Sequence, residues 1–403
     1  MSEGDTAWLL VSTGLVMLMI PGLALFYGGM VQSKNVLSTF MHSFFALGLV
    51  SVQFALIGYS LAFGTTHGGI IGGLDYVGLD GITVASLHDK VPQLAWVAYQ
   101  CMFAAITPAL ISGAFAERMK FTAFVLFTLA WTTLVYDPIA HWEWGTGGWL
   151  AKLGAIDYAG GTVVHLSSGI SALVVALVLG KRAGYPGTRH PPHDLVLTVV
   201  GAGILWFGWF GFNAGAAGAN GSAALAVLNT HLAAAAGALT WGLVESRRVK
   251  KLTMLGVASG LVAGLVAITP AAGYVSPMVA LAIGVAAGLV CYGAVLAKSR
   301  LGYDDALDAF GVHGVGGATG ALLTGVFARA ALNNGAGGGL HLLGVQALSI
   351  AAVGTWAAVV TYVLLKIIDA TVGLRVSAED EYEGLDTSQH GESAYGGAAV
   401  GAH

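Results

Sequence analysis

The chain has 403 residues, of which 56% are hydrophobic and only 9% charged, and its mean hydropathy is +0.77. Water-soluble domains carry about 25% charged residues, so this composition excludes one and specifies a polytopic membrane protein. A net charge of −4 leaves no basic surface for nucleic acid.

Runs of roughly 20 apolar residues, enough to cross the hydrocarbon layer, lie near 6–31, 36–63, 92–116, 121–140, 159–180, 194–214, 222–244, 252–270, 276–297, 307–328 and 341–369. They predict an all-α protein of about eleven transmembrane helices. The 60 glycines fall among them beside Ala and Ser, as close helix packing in lipid requires. The amino terminus, Met-Ser-Glu-Gly-Asp, has no basic segment of a cleavable signal, so the first run is expected to stay as a span. Cys101 and Cys291 lie inside apolar runs, which argues against a disulfide framework.

Alternate loops sort the basic residues. Lys90, Lys152 and Arg329 fall on one side, and the other fourteen of the 17, from Lys34 through Arg189 to Arg375, fall on the opposite side. The positive-inside rule then puts the N-terminus outside and the C-terminus in the cytoplasm.

The fifth and tenth runs share a pattern. His165 lies eight residues after Asp157, and His313 lies eight after Asp305; Val164 and Val312 precede the histidines, and Gly169 and Gly317 follow four later. A repeat unit of five helices re-enters the membrane from the opposite face. The reading is a five-plus-five inverted repeat, about 6–182 and 194–330, with a peripheral eleventh helix and a site near the midplane. The two imidazoles are expected to meet there. No third ligand is patterned with them, which leaves no metal site and no cofactor motif. Two rings joined by one hydrogen bond suit a small neutral polar molecule or a proton. His42 and His231, also within spans, read as helix-packing residues.

Aromatic residues gather toward the predicted outer end. Tyr99 and Phe103 share a helix face, Trp144 falls on an outer loop in HWEWGTGG, and Phe212 sits in WFGWFGFNAG at the end of the sixth span. Aromatic faces attract cations.

The blocks IPGLALFYGGMVQSKNVLS (20–38), AFAERMKF (114–121), DYAGGTVVHLSSG (157–169), GWFGFNAG (208–215), DDALDAFGVHGVGG (304–317) and GLRVSAEDEYEGLDTSQHGESAY (373–395) together resemble the ammonium transporter (Amt) branch of the Amt/Rh superfamily. The resemblance spans essentially the whole chain. It implies a transmembrane transporter domain, 1–370, and an acidic cytoplasmic tail, 371–403, in a homotrimer in the membrane lipid, in the prokaryotic cytoplasmic membrane. It further implies ammonium recruitment at Trp144 and Tyr99 and at the position of Ala216, a gate of Phe103 and Phe212, and a twin-histidine pore at His165 and His313. Asp157 would order the recruitment site, and Phe26, Tyr27 and Trp209 would flank the pore. Two residues depart from the family pattern: Tyr99 replaces a common Phe, and Ala216 replaces a serine whose hydroxyl accepts a hydrogen bond from ammonium.

The reading is transport of ammonium, with deprotonation and passage of ammonia. The alternatives are an ammonium sensor or receptor acting through a cytoplasmic partner, and a Rh-like gas channel. No nucleophile and base are paired in the sequence, so an enzyme is not expected. The tail carries Glu379, Asp380, Glu381, Glu383, Asp386 and Glu392 with no Lys or Arg between Ala378 and Glu392. The resemblance implies that it couples to a PII-type regulatory protein. The basic stretch Arg247, Arg248, Lys250 and Lys251 is its expected electrostatic partner.

Overall fold

The computed structural model describes residues 1–187, 190–332 and 337–395; Arg189 and the end of the tail lie outside them. Ten helices among the described residues are long and apolar enough to cross a membrane: α1 Glu3–Met30, α2 Ser33–Phe63, α3 Gln93–Phe115, α4 Phe121–Lys152, α5 Gly161–Leu179, α6 Leu195–Ala217, α7 Gly221–Val249, α9 Pro277–Leu301, α10 Phe310–Phe327 and α11 Leu340–Thr371. A shorter apolar helix, α8 at Met254–Ile268, completes the eleven.

Polar caps set several starts. The Asp194 carboxylate accepts from the N–H groups of Val196 and Leu197 at 2.9 and 3.0 Å, and Asn220 and Thr253 do the same for α7 and α8. The helices are apolar on more than one face. Met17, Leu56, Phe207, Leu239, Met278 and Ile367 point outward, as lipid contact demands. Inside, small residues let backbones touch. A Cβ on Gly201 would lie 2.3 Å from the Phe26 nitrogen where α6 crosses α1, and one on Gly264 would lie 2.3 Å from the Ala233 carbonyl where α8 crosses α7.

The fourth span corrects an expectation. Trp144 is not on a loop: it is the last residue of the helical stretch Asp137–Trp144, which continues the helix from Phe121. His141 and Glu143 interrupt the apolar run in sequence but are buried here with partners. His141 bonds the Ala62 carbonyl and the Thr66 hydroxyl, and Glu143 bonds Ser349 and Thr162. Between α2 and α3 the loop folds into two small hairpins, Thr66–His67 with Ile71–Gly72 and Leu87–His88 with Val91–Pro92.

The tail packs back on the bundle. Arg375 bridges to Met119, and two short helices follow, α12 Ala378–Glu383 and α13 Leu385–His390. Its partners differ from those expected. The Lys34 ammonium donates to the carbonyls of Glu381 and Tyr382, the Ala183 N–H donates to Glu381, and the Ser38 N–H donates to Asp386. Among the described residues Arg247, Arg248, Lys250 and Lys251 form no ion pair with it. These four stand at the end of α7 and just beyond it, whereas the chain leaving α11 meets the start of α2 and the 116–120 loop.

Candidate functional site

The two histidine helices begin alike. Asp157 Oδ1 accepts from the N–H groups of Gly160 and Gly161 at 2.9 and 2.7 Å, and Oδ2 from those of Thr162 and Val163 at 2.8 and 3.1 Å. Asp305 accepts from Ala309 and Phe310 at 3.0 and 2.8 Å. Each carboxylate thus satisfies the free N–H groups of its own helix start. The turn at 157–161 depends on Gly160, whose φ of 109° is costly for any other residue and leaves room for the Trp144 ring. Both helices open with a π-helical turn, Gly161–Leu166 and Phe310–Gly314, which carries the histidine inward.

The helices cross at the two patterned glycines. A Cβ on Gly169 would lie 2.0 Å from the Gly314 nitrogen, and one on Gly317 would lie 2.6 Å from the Gly161 carbonyl and 3.0 Å from the Leu166 nitrogen. This close crossing brings His165 Nδ1 and His313 Nδ1 to 3.3 Å, with the ring planes 18° apart. Both rings are buried, and His165 Nε2 has no protein partner. Trp209 lies against His165 with ring centres 5.3 Å apart and donates its indole N–H to Thr269 at 3.0 Å.

An apolar chamber surrounds the pair, lined by Phe26, Ile106, Leu110, Trp209, Phe212 and Val262 with both histidines. Its room for a water-sized molecule is only about 10 Å³, roughly what one water needs. A second chamber of about 50 Å³ meets it at Phe26 and His313 and is lined further by Tyr27, Ser259, Asp308 and Val312. Tyr27 faces this second chamber, and its hydroxyl donates to the Leu110 carbonyl at 3.0 Å.

On the other side Phe212 closes the first chamber. It stacks on Phe103 with centroids 4.1 Å apart and planes 20° apart, and Tyr99 and Trp144 pack on Phe103 at 4.9 and 6.0 Å. The Trp144 indole donates to the Asp157 carbonyl at 2.9 Å. Asp157 therefore fixes the helix start with its side chain and the indole with its backbone. The Tyr99 hydroxyl points at the carbonyls of Gly211 and Phe212, 3.0 and 2.8 Å away. The hydroxyl's one proton is used there, and its oxygen remains an acceptor. Ala216 itself is exposed and lines a vestibule of about 580 Å³ with Asp5, His88, Lys90 and Trp96.

Neither His42 nor His231 lines these chambers. His42 is buried among Phe115, Phe121 and Phe124 with no partner for either nitrogen, and His231 stacks on Trp206.

Two groups of buried polar residues escaped the sequence reading. One joins Glu143, Thr162, Ser349 and Gln346 around the Asp157 turn; the Gln346 amide pairs with both the N–H and the carbonyl of Ile156. The helix expected to be peripheral, α11, thus braces the site. The other lies at the tail end, where Arg182 bonds Glu117 at 2.8 Å and Asp304 at 2.9 Å. Burial alone would raise the Glu117 carboxyl, but the Arg182 guanidinium holds it below the usual carboxylate range. Nearby, burial lowers the Arg118 guanidinium to about 10 and raises Asp305 to about 6. The one signal for either group was a charged residue inside or abutting an apolar run.

A stacked aromatic pair, a narrow chamber with apolar walls and two facing imidazoles thus lie next to one another inside the bundle. Residues 7–395 match the model of the Ammonium Transporter Family. The chain is 50% identical to the ammonium transporter of Bacillus subtilis, over 98% of this chain and 99% of that one, and 47% identical to ammonium transporter Amt1 of Archaeoglobus fulgidus, over 98% and 100%. Among solved structures it resembles Mep2 of Candida albicans, with a TM-score of 0.89, 37% identity and coverage of 94% of this chain and 88% of that one. It also resembles a structure described as a sensor Amt protein, with a TM-score of 0.90, 30% identity and coverage of 96% and 98%. The chain is an integral membrane protein that belongs to the Ammonium Transporter Family.

Proposed function

We propose that the chain carries ammonium nitrogen across the membrane by stripping one proton at the aromatic site and passing ammonia along His165 and His313. The observation that carries this reading is the 3.3 Å imidazole contact inside a chamber otherwise lined by apolar side chains. A bare cation in such a chamber loses its hydration without replacement, a cost of tens of kcal/mol in the limit of a dry medium. Ammonia loses far less and finds a donor and an acceptor in the neutral ring pair. Hydrated K⁺ has no proton to leave behind, so the same walls reject it.

On this reading the cation is held by the faces of Trp144 and Tyr99, with Asp157 fixing the first of them. Phe103 and Phe212 must swing apart for each passage, because their stack leaves no opening. Phe26, Tyr27 and Trp209 wall the path. The protein works as a homotrimer of the 1–370 domain, with the N-terminus outside, the C-terminus in the cytoplasm and one pore in each subunit. The tail from 371 onward ties the loops at 32–38, 116–120 and 179–184 together and offers a PII-type protein a surface beside the pore mouth. A sensing role is the second reading, favoured by the likeness to the sensor Amt protein.

The test is ammonium-driven current in proteoliposomes for His165→Ala and His313→Ala. Each variant is expected to lose the current or to admit K⁺. Wild-type current with K⁺ still excluded in both variants rules the mechanism out.

A further inference from the structure

Glu143 precedes Trp144 on α4 and points the other way, into the protein, where it is 7% exposed. Its Oε1 lies within bonding distance of the Ser349 hydroxyl from α11 and 3.3 Å from Thr162 Oγ1; its Oε2 has no partner. Thr162 Oγ1 is also 2.6 Å from Asp157 Oδ2. The protons can be counted. Asp157 already receives four backbone N–H groups, two on each oxygen, so both of its oxygens act as acceptors. The single Thr162 proton goes to it along the shorter contact. Among the described residues Ser349 then supplies the only hydroxyl proton left for Glu143, and no cation pairs with it. A buried carboxylate with one donor is poorly compensated, whereas a carboxylic acid completes the chain with its own proton.

We propose that Glu143 is a positioning residue of the ammonium site: as a neutral acid it donates to Thr162, fixes that hydroxyl on Asp157, and so holds the Asp157 turn under Trp144. The inference rests on the transport reading only for what the site binds. Ser349 extends the same chain to α11, so the acid joins three elements at one point. The stretch Asp137–Trp144, which carries Glu143, packs against Tyr59–Phe63, Ile71–Gly72, Thr132–Tyr136, Trp149–Lys152 and Gly161–Leu166. Their titratable groups, Tyr59, Tyr136, Lys152 and His165, form no hydrogen bond with Glu143; the charged group that faces it is Asp157, through Thr162. Loss of the Glu143 proton puts a second anion beside Asp157 and leaves two carboxylates competing for one hydroxyl.

The experiment compares wild type, Glu143→Gln and Glu143→Ala in two measurements, ammonium-driven current and thermal melting of the purified protein, from neutral to alkaline pH. Gln supplies an N–H donor and a carbonyl acceptor without a charge. At neutral pH Glu143→Gln is expected to match wild type, while Glu143→Ala needs roughly fivefold more ammonium for half-maximal current, the effect of one net hydrogen bond. At alkaline pH wild type loses apparent affinity and melting temperature relative to Glu143→Gln, which keeps both. Two results overturn the proposal: Glu143→Gln as impaired as Glu143→Ala at neutral pH, or the same alkaline profile in wild type and Glu143→Gln. Absence of current in wild type counts against transport instead, and the melting profiles then decide the role of Glu143.

Discussion

Gly169 tests the crossing that brings the histidines together. A Cβ at this position would sit 2.0 Å from the Gly314 nitrogen and 2.3 Å from its Cα, so the obstacle is backbone and no side chain can turn aside. Ordinary contact begins at 3.4 Å, and α5 and α10 must therefore separate by about 1.4 Å, the difference between 3.4 and 2.0. Taken along the line between the rings, that shift opens the 3.3 Å contact well past hydrogen-bond range. Overpacking of this kind costs about 1–3 kcal/mol, which a large helical bundle survives. Gly169→Ala is accordingly expected to give a folded protein with a lowered melting temperature and little or no ammonium-driven current in proteoliposomes. The reciprocal variant, Gly317→Ala, meets a carbonyl at 2.6 Å and is expected to act in the same direction with less effect. Wild-type current in Gly169→Ala would show that the reciprocal crossing does not set the imidazole geometry.

Ala216→Ser restores a hydroxyl at the vestibule and is expected to tighten the apparent affinity for ammonium; a hydrogen bond to a charged group is worth about 1.5–3 kcal/mol, and exposure of this site keeps the gain below that. No change in half-maximal ammonium concentration would show that the acceptor is supplied elsewhere. Truncation after Val372 removes the partners of Lys34, Ser38 and Ala183 and is expected to leave a folded protein with reduced or unregulated flux and no binding to a cognate PII-type protein; full flux with binding retained contradicts this. Glu117 is held below the usual carboxylate range by Arg182, so its stabilising contribution is present above the unfolded-state value and is lost as pH falls through the folded one. Thermal melting should show an acid-side fall that Glu117→Gln lacks, and identical acid profiles would refute the assignment.

The fold and the main line of the site were legible because lipid imposes simple rules. A span must be long and apolar, which the hydropathy of α1 through α11 announces, and a histidine in such a span calls for a partner or a path; His42 and His231, packed on aromatic rings, show that the position alone does not decide. The repeat of Asp, His and Gly added the pairing. What stayed hidden was anything decided by side-chain direction. Glu143 and His141 fell outside the expected span, 121–140, because nothing local says that Ser349, 206 residues away, and the Thr66 hydroxyl await them. The tail was paired with the basic run Arg247 to Lys251, but the Glu381 carboxylate pairs with Arg375 of the tail itself at 2.7 Å and accepts from Ala183, and Asp386 accepts from Ser38. The exposure of Ala216 on the vestibule was equally hidden, because it depends on the tight final turn of α6, Gly215–Ala217.

The repeat also explains why the pore has two different ends. In both halves the aspartate caps its helix with its side chain and offers its carbonyl to a side chain from elsewhere. At Asp157 that carbonyl accepts from the Trp144 indole at 2.9 Å; at Asp305 it accepts from the Lys298 ammonium at 2.7 Å. One frame thus holds an aromatic face at one end and a fixed positive charge at the other. Lys298 is in turn paired with Asp308, 2.5 Å away, which lines the second chamber. A cation meets attraction from the ring at the Trp144 end and a group already neutralised by its own partner at the Lys298 end. On the proposed mechanism, the symmetric residues, Asp, His and Gly, build the path that ammonia takes. The residues that break the symmetry, Trp144 and Phe103 from the first half and Phe212 from the second, gather on one side of the histidines, so on that mechanism both halves contribute to a recruitment site that only one side of the pore has.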